Sequence, residues 1–319
     1  SVIHMGSNII HSPINYKEIP PFSWGPSATN EKYDLNKFII TAQNIIYSVE
    51  ITLEGADGVK NTQNVNVLAG MSVKDSVTHF CSSGVCGISQ QAVEDYVTSV
   101  VNDARKTWYV NELLRDTIES ATVYDVDNNP VSLDSNVAAN EGKFLYDLIV
   151  NNNLKKTLEV GMAYGISALY IAQAHRNLQN PLQSHVSVDP YQSTQWKNIA
   201  MLNLERANLQ DYVELREDLS YLVMPVAVQN KEEYDLIFID GMHLYDYTLL
   251  DFFYADLMLK VGGYMIFDDA HMPSVAKVIS YVLTNRSYKL VENTGLSIRV
   301  SVMIKVKDDD RNWDYHASF

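Results

Sequence analysis

Two short clusters hold residues whose types and spacing could do chemistry together. Asp240-Gly241-Met242-His243 places a carboxylate at the end of a mostly apolar run, Tyr234 to Ile239, and an imidazole three residues on. Asp268 and Asp269 close a second apolar run, Tyr264 to Phe267. If the two runs are neighbouring strands of a parallel sheet, their carboxylates meet at one edge, where repulsion raises their pKa values unless a cation neutralises them. Oxygen ligands of this kind suit magnesium, calcium or manganese rather than zinc. A hydroxyl bound to such a cation is more acidic, and an imidazole such as His243 could remove its proton near neutral pH. His271, two residues past Asp269, is an outside candidate for base or ligand.

A third stretch, Leu158-Glu159-Val160-Gly161-Met162-Ala163-Tyr164-Gly165, has the form of an apolar strand running into a turn with two spaced glycines. The first glycine permits a tight turn, and the second lets the following helix approach a bound molecule that any side chain would displace. The spacing Glu-x-Gly-x-x-x-Gly lacks the third close glycine of the Gly-x-Gly-x-x-Gly pattern that brings backbone against a pyrophosphate. A nucleoside poor in phosphate fits it better. Glycine turns between strand and helix are also common as packing features, so the surrounding elements decide.

Those elements alternate strand and helix, the rhythm of a doubly wound α/β sheet. Helical spacing of Ile166, Leu169, Tyr170 and Ala174 predicts a helix after Gly165. His185 to Asp189 reads as the second strand, and an acid at its tip can accept hydrogen bonds from a ribose diol. Tyr212 to Arg216 reads as the third, closed by Glu217-Asp218, and Tyr234 to Asp240 as a fully buried fourth. Leu244 to Leu259 reads as a helix, Val261-Gly262-Gly263 as a turn, and Tyr264 to Asp269 as the fifth strand. Tyr288 to Glu292 and Ile298 to Val306 form a hairpin pattern across Asn293-Thr294-Gly295.

With these motifs in order, the chain from about Asn136 to Lys307 resembles a class I S-adenosylmethionine-dependent methyltransferase. The resemblance covers roughly half the sequence. It rests on Glu159 to Gly165, Val188-Asp189, Glu217-Asp218, Asp235 to Gly241 and Leu259 to Asp269. It implies a seven-stranded, mostly parallel, Rossmann-like sheet whose last strand runs antiparallel. It assigns cofactor contacts to Glu159, Gly161, Ala163, Tyr164, Gly165, Asp189, Asp218 and Asp240, with Tyr191 a candidate cover for the adenine. Within that class the pattern is similar to metal-dependent O-methyltransferases acting on macrolide sugars. This implies a divalent cation such as Mg2+ on Asp240, Asp268 and Asp269, with His243 and Asp240 catalytic. Those sugar enzymes carry Glu-Asp where this chain has Asp268-Asp269, and the shorter ligand could weaken coordination or select another ion. Catechol-type enzymes pair Asp with Asn and use a lysine base, and no lysine lies near Asp240 in the sequence. The expected reaction is methyl transfer to a hydroxyl of a small molecule, a sugar or a phenol. A metal-free transfer using His243 alone, a non-catalytic cofactor-binding module and an NAD-dependent oxidoreductase stand as alternatives.

The chain has 319 residues, 46% hydrophobic and 20% charged, enough for more than one folding unit. Its net charge of -15 opposes binding to a phosphate backbone, so no nucleic-acid partner is expected. No run of 18 apolar residues and no basic-then-apolar leader is visible, which points away from membranes and toward the cytoplasm. His4-Met5-Gly6-Ser7 resembles a cloning junction, so the native start is expected to differ. Cys81 and Cys86 have poor zinc spacing and read as free thiols. Residues 1–30, with four prolines, suggest an extended arm; 31–125 a small α+β accessory domain; 126–139 a linker leading to the active site; 140–307 the methyltransferase domain; and 308–319 a tail. Within 31–125, two β-rich runs flank Gly55-Ala56-Asp57-Gly58, and Val73 to Phe80 and Gln90 to Ser120 read as helices. The accessory domain is a candidate for capping the site, for holding a carrier or for homo-oligomer contacts.

Overall fold

The computed structural model describes residues 45–54, 60–68, 71–82, 90–292 and 294–319. It divides into two compact units, one within residues 1–107 joined by Ile118–Ala121, the other Trp108–Thr117 with Thr122–Phe319. The proline-rich arm, the Gly55–Gly58 turn and Cys86 lie outside the described residues.

In the smaller unit β1 (Ile45–Glu54) and β2 (Lys60–Leu68) pair antiparallel, with Val49 opposite Val65. Alternation puts Tyr47, Val49, Ile51, Val65 and Val67 on the buried side. The helix Gln90–Trp108 buries Val93, Val97, Val101 and Ala104, a stripe at helical spacing. The long helix expected to run on to Ser120 is instead two, because Asn111 Oδ1 accepts the Leu114 N–H at 2.9 Å and starts a second helix, Glu112–Ser120. Glu119 accepts from Tyr47 at 2.8 Å and from both Nε and Nη2 of Arg105 at 2.7 Å. Cys81 is disulfide-bonded, which corrects the free-thiol reading. Four residues lie between the two cysteines in sequence, and a spacing that is poor for zinc does not exclude a crosslink.

The larger unit is a seven-stranded sheet in the order β10-β11-β9-β8-β5-β6-β7. Its strands are β5 (Thr157–Val160), β6 (His185–Val188), β7 (Val213–Arg216), β8 (Tyr234–Ile239), β9 (Leu259–Phe267), β10 (Tyr288–Leu290) and β11 (Ser301–Lys305). β11 pairs antiparallel with both neighbours, and every other pairing is parallel. This is the Rossmann-like methyltransferase sheet, with helices between its strands. β9 begins at Leu259 and takes in Val261-Gly262-Gly263, which the sequence reads as a turn; a register shift opposite Tyr234 to Leu236 absorbs the extra backbone. β11 begins at Ser301 rather than Ile298, so the hairpin loop is longer than its glycine suggests. Asp125 organises another hairpin, β3 (Thr122–Tyr124) with β4 (Pro130–Ser132), by accepting the amides of Asp127 and Asn129. Among the described residues no helix is long and apolar enough to cross a membrane.

Sheet hydrogen bonding continues past the strand ends. Gly161 N donates to Val188 O, Asp240 N to Val160 O and Asp268 N to Ile239 O, all within 2.9–3.0 Å. The tips of β5, β8 and β9 are therefore aligned, and their turns open on one carboxyl edge. At the opposite end Asp235 accepts the amides of Lys155 and Lys156 at 2.7 and 3.0 Å and pairs with Lys260 at 2.8 Å. Asp235→Ala leaves those donors unpaired and is expected to cost about 1–3 kcal/mol, read as a lower urea midpoint with catalysis intact in the folded protein.

Candidate functional site

The turn after β5 is held from two sides. Gly161 (φ +90°) and Gly165 (φ +80°) lie in the left-handed region, and between them Ala163 (φ +46°) adopts it without being glycine. A Cβ on Gly161 would sit 2.0 Å from the Asp240 carbonyl oxygen, and one on Gly165 would sit 2.9 Å from Ala200 Cβ. The space that Gly165 keeps free is thus filled by a neighbouring helix rather than reserved for a ligand, a correction to the reading of the second glycine. Asp189 Oδ2 accepts the amides of Met162 and Ala163 at 3.0 and 2.9 Å, and its Oδ1 accepts that of Tyr191 at 2.9 Å. One acid at the tip of β6 thereby fixes the glycine turn, using three of its roughly four acceptor positions.

Glu159 differs from its assignment as a cofactor contact. It is fully buried, and its two oxygens accept the hydroxyls of Ser187 and Ser167, each at 2.7 Å. It anchors the turn from beneath. Tyr164 is buried against Trp196 in an edge-on contact of 5.0 Å. Asp218 lies exposed at the start of the helix Ser220–Gln229 and accepts the Leu219 amide at 2.8 Å. Tyr191 is 42% exposed.

On the same edge Asp240, His243 and Asp269 come together. His243 Nε2 lies 3.1 Å from Asp269 Oδ2 and 3.6 Å from Asp240 Oδ1. One donor atom from each of the three falls within 4.8 Å of the others. Asp268 is not in that set; its Oδ1 accepts the Asp269 amide at 2.8 Å. This departs from the expected ligand set of Asp240, Asp268 and Asp269. Asp269 itself has φ +48°, a left-handed conformation that costs a non-glycine residue about 1–3 kcal/mol and concentrates at functional sites.

Burial pushes the Asp240 carboxyl up to about 6, and it pushes Asp268 well above the usual carboxylate range. Hydrogen bonding to Asp240, reinforced by the charge of Asp269, lifts His243 above the ordinary imidazole range. The imidazole and the Asp240 carboxyl thus compete for a proton at the mouth of the edge. Two further residues join them, neither apparent from the sequence motifs. Arg299, from the loop before β11, donates to Asp269 Oδ1 at 3.0 Å. Glu141, on the first turn of the helix Ala139–Asn152, caps the Ala138 amide at 2.8 Å and feels the charges of Arg299, Asp269 and His271; burial raises its pKa. A glutamate three residues into a helix start was the one available signal for Glu141. Arg299 had none, being 30 residues from Asp269 in an irregular loop.

Residues 158–270 match the family described as a methyltransferase domain. That span runs from β5 to the turn after β9 and contains the glycine turn, Asp189, Asp218, Asp240, His243, Asp268 and Asp269. These residues form a class I S-adenosylmethionine-dependent methyltransferase domain. The methyltransferase is similar to caffeoyl-CoA O-methyltransferase 5 of Nicotiana tabacum, 27% identical over 173 residues, which covers 50% of this chain and 67% of the relative. Caffeoyl-CoA O-methyltransferase 2 of Petunia hybrida is 28% identical over 173 residues, covering 50% of this chain and 66% of its own. The methyltransferase thus spans about two thirds of the length of these relatives. Among solved structures, a candidate O-methyltransferase from Klebsiella pneumoniae superposes with a TM-score of 0.50 at 19% identity, covering 66% of this chain and 97% of the other, a likeness of fold.

Proposed function

We propose that the methyltransferase transfers the methyl group of S-adenosylmethionine to a hydroxyl of a small molecule, with His243 taking the hydroxyl proton. The observation that carries this is His243 Nε2 at 3.1 Å from Asp269 and 3.6 Å from Asp240, on the sheet edge where the glycine turn opens. The sulfonium is already a good donor, so the protein's task is to align an activated oxygen behind the methyl group. The plant relatives, whose names specify a caffeoyl thioester and O-methylation, favour a phenol over a sugar as the acceptor. The net charge of -15 favours a small molecule over a nucleic acid.

The donor set fits a divalent cation. Asp240, His243 and Asp269 would hold it, since one donor atom of each lies within 4.8 Å of the others. Two carboxylates and an imidazole suit manganese as readily as magnesium. When bound, a cation would lower the pKa of the acceptor hydroxyl. A specific contact favours the metal-free second reading: Arg299 already neutralises Asp269 at 3.0 Å. Calorimetric titration of the full chain is expected to show S-adenosylhomocysteine binding and no NAD binding; selective NAD binding would sink the proposal. Titration with Mn2+ alone separates the duties of His243. If it is only a base, His243→Ala leaves cation affinity unchanged, whereas a ligand role predicts at least a tenfold loss, on the order of the energy of one strong contact.

A further inference from the structure

A polar chain crosses the apolar centre of the sheet, away from the catalytic edge. Thr157 Oγ1, at the start of β5, lies 2.8 Å from His175 Nε2 and 2.9 Å from His185 Nδ1. Asn180 Nδ2 lies 2.8 Å from His175 Nδ1 and also donates to Leu154 O at 2.8 Å. At the other end His185 Nε2 is 3.3 Å from Glu159 Oε1. Thr157, Glu159 and His185 are 0% exposed on central parallel strands that would ordinarily carry Val, Ile or Leu, and His175, on the helix Ile166–Asn177, is 0% exposed against them.

The protons along this chain can be ordered. Lys155 Nζ, which only donates, lies 3.1 Å from Asn180 Oδ1 and so fixes which end of the amide is nitrogen. Asn180 then donates to His175 Nδ1, leaving the ring proton on Nε2 and directed at Thr157. The Thr157 hydroxyl accepts it and donates to His185 Nδ1. The remaining His185 proton is on Nε2, facing Glu159. Burial and the neighbouring His185 hold the His175 pKa down to about 3, in keeping with a neutral ring carrying one proton.

We infer that Thr157, His175 and His185 are positioning residues for the cofactor turn, acting through Glu159. Glu159 holds Ser167, in the first turn of the helix after Gly165, and Ser187, two residues before the Asp189 that grips Met162 and Ala163. Rotation of its carboxylate would move both walls of the turn. Stability alone does not call for such a network, since well-packed apolar groups commonly match or exceed buried polar ones. What it provides is one fixed tautomer for each ring, because the Lys155–Asn180 contact sets the direction of every donor from Asn180 to His185 Nδ1.

The inference rests on the turn binding S-adenosylmethionine, and its test separates the two. In full-length protein, Thr157→Val removes the hydroxyl while keeping the shape. It is expected to weaken S-adenosylhomocysteine binding about tenfold, the effect of one buried hydrogen bond. The KM for S-adenosylmethionine rises in step while kcat holds, and the nitrogen NMR signals of His185 lose their single-tautomer pattern. Thr157→Ser restores all three. Should Thr157→Val not fold, Ser187→Ala is expected to weaken binding in the same direction with the ring protons in place. A lower melting temperature in these variants with wild-type affinity and KM overturns the inference, as does a His185 proton found on Nδ1 in the wild type. Failure of the wild type to bind S-adenosylhomocysteine instead removes the cofactor reading, and the wild-type tautomer still reports on the network.

Discussion

His243→Ala is expected to slow methyl transfer by about 10²–10⁴-fold, the contribution of a positioned general base, while S-adenosylhomocysteine binding stays within a few-fold of wild type. The split follows from position. The imidazole stands four residues beyond the end of β8 and faces Asp240 and Asp269, whereas the glycine turn is built by Asp189, Glu159 and the backbone of β5. Preserved turnover in this variant would reject His243 as the base. Its pH dependence has a definite sign. Hydrogen bonding to Asp240 raises the His243 pKa, so the ring keeps its proton to higher pH and the rate should climb as pH passes above that raised value. Asp240→Asn removes the principal cause, and the rising limb should move down toward the ordinary imidazole range. The same shift has a stability counterpart: the protonated ring's contribution is present below the ordinary pKa and fades as pH rises through the folded-state one.

Gly161→Ala is expected to be the most damaging small substitution in the larger unit. The added carbon would stand 2.0 Å from the Asp240 carbonyl oxygen at a φ of +90°. Neither strand can yield readily, because Gly161 N is bonded to Val188 O and Asp240 N to Val160 O. Left-handed strain and the backbone collision together should cost more than about 3 kcal/mol, seen as a large drop in melting temperature or loss of soluble protein. Any variant that folds should place Asp240 wrongly and lose turnover along with cofactor affinity. Gly262→Ala is the control: a side chain there meets nothing within 4 Å, and its φ of +85° leaves strain alone. If both variants melt alike, the collision has been misjudged.

The larger sheet was legible because its signals are local. Buried parallel strands appear as short apolar runs, glycines mark the turns after them, and acids stand at their tips, as at Asp189, Asp240 and Asp268. Boundaries were less legible where hydrogen bonding to a partner strand overrides local preference. β9 draws Gly262 and Gly263 into the sheet, and the helix expected over Gln90 to Ser120 breaks where Asn111 caps a new start. The disulfide at Cys81 escaped because spacing rules identify metal sites and multi-cysteine frameworks better than a single crosslink.

Taken by itself, the sequence determined the kind of sheet, the strand tips that carry chemistry and the short list of acids and imidazoles there. These depend on periodicity and on residues a few positions apart. Only the tertiary structure decided what each of them touches. It buries Glu159 beneath the turn, turns Asp268 back onto its own backbone, sets His243 beside Asp269 across 26 residues of chain, and brings Arg299 and Glu141 to the same edge. The physical reason is that a side chain's partners are set by strand register and loop path. Both depend on contacts between residues far apart in the chain, which no local pattern records.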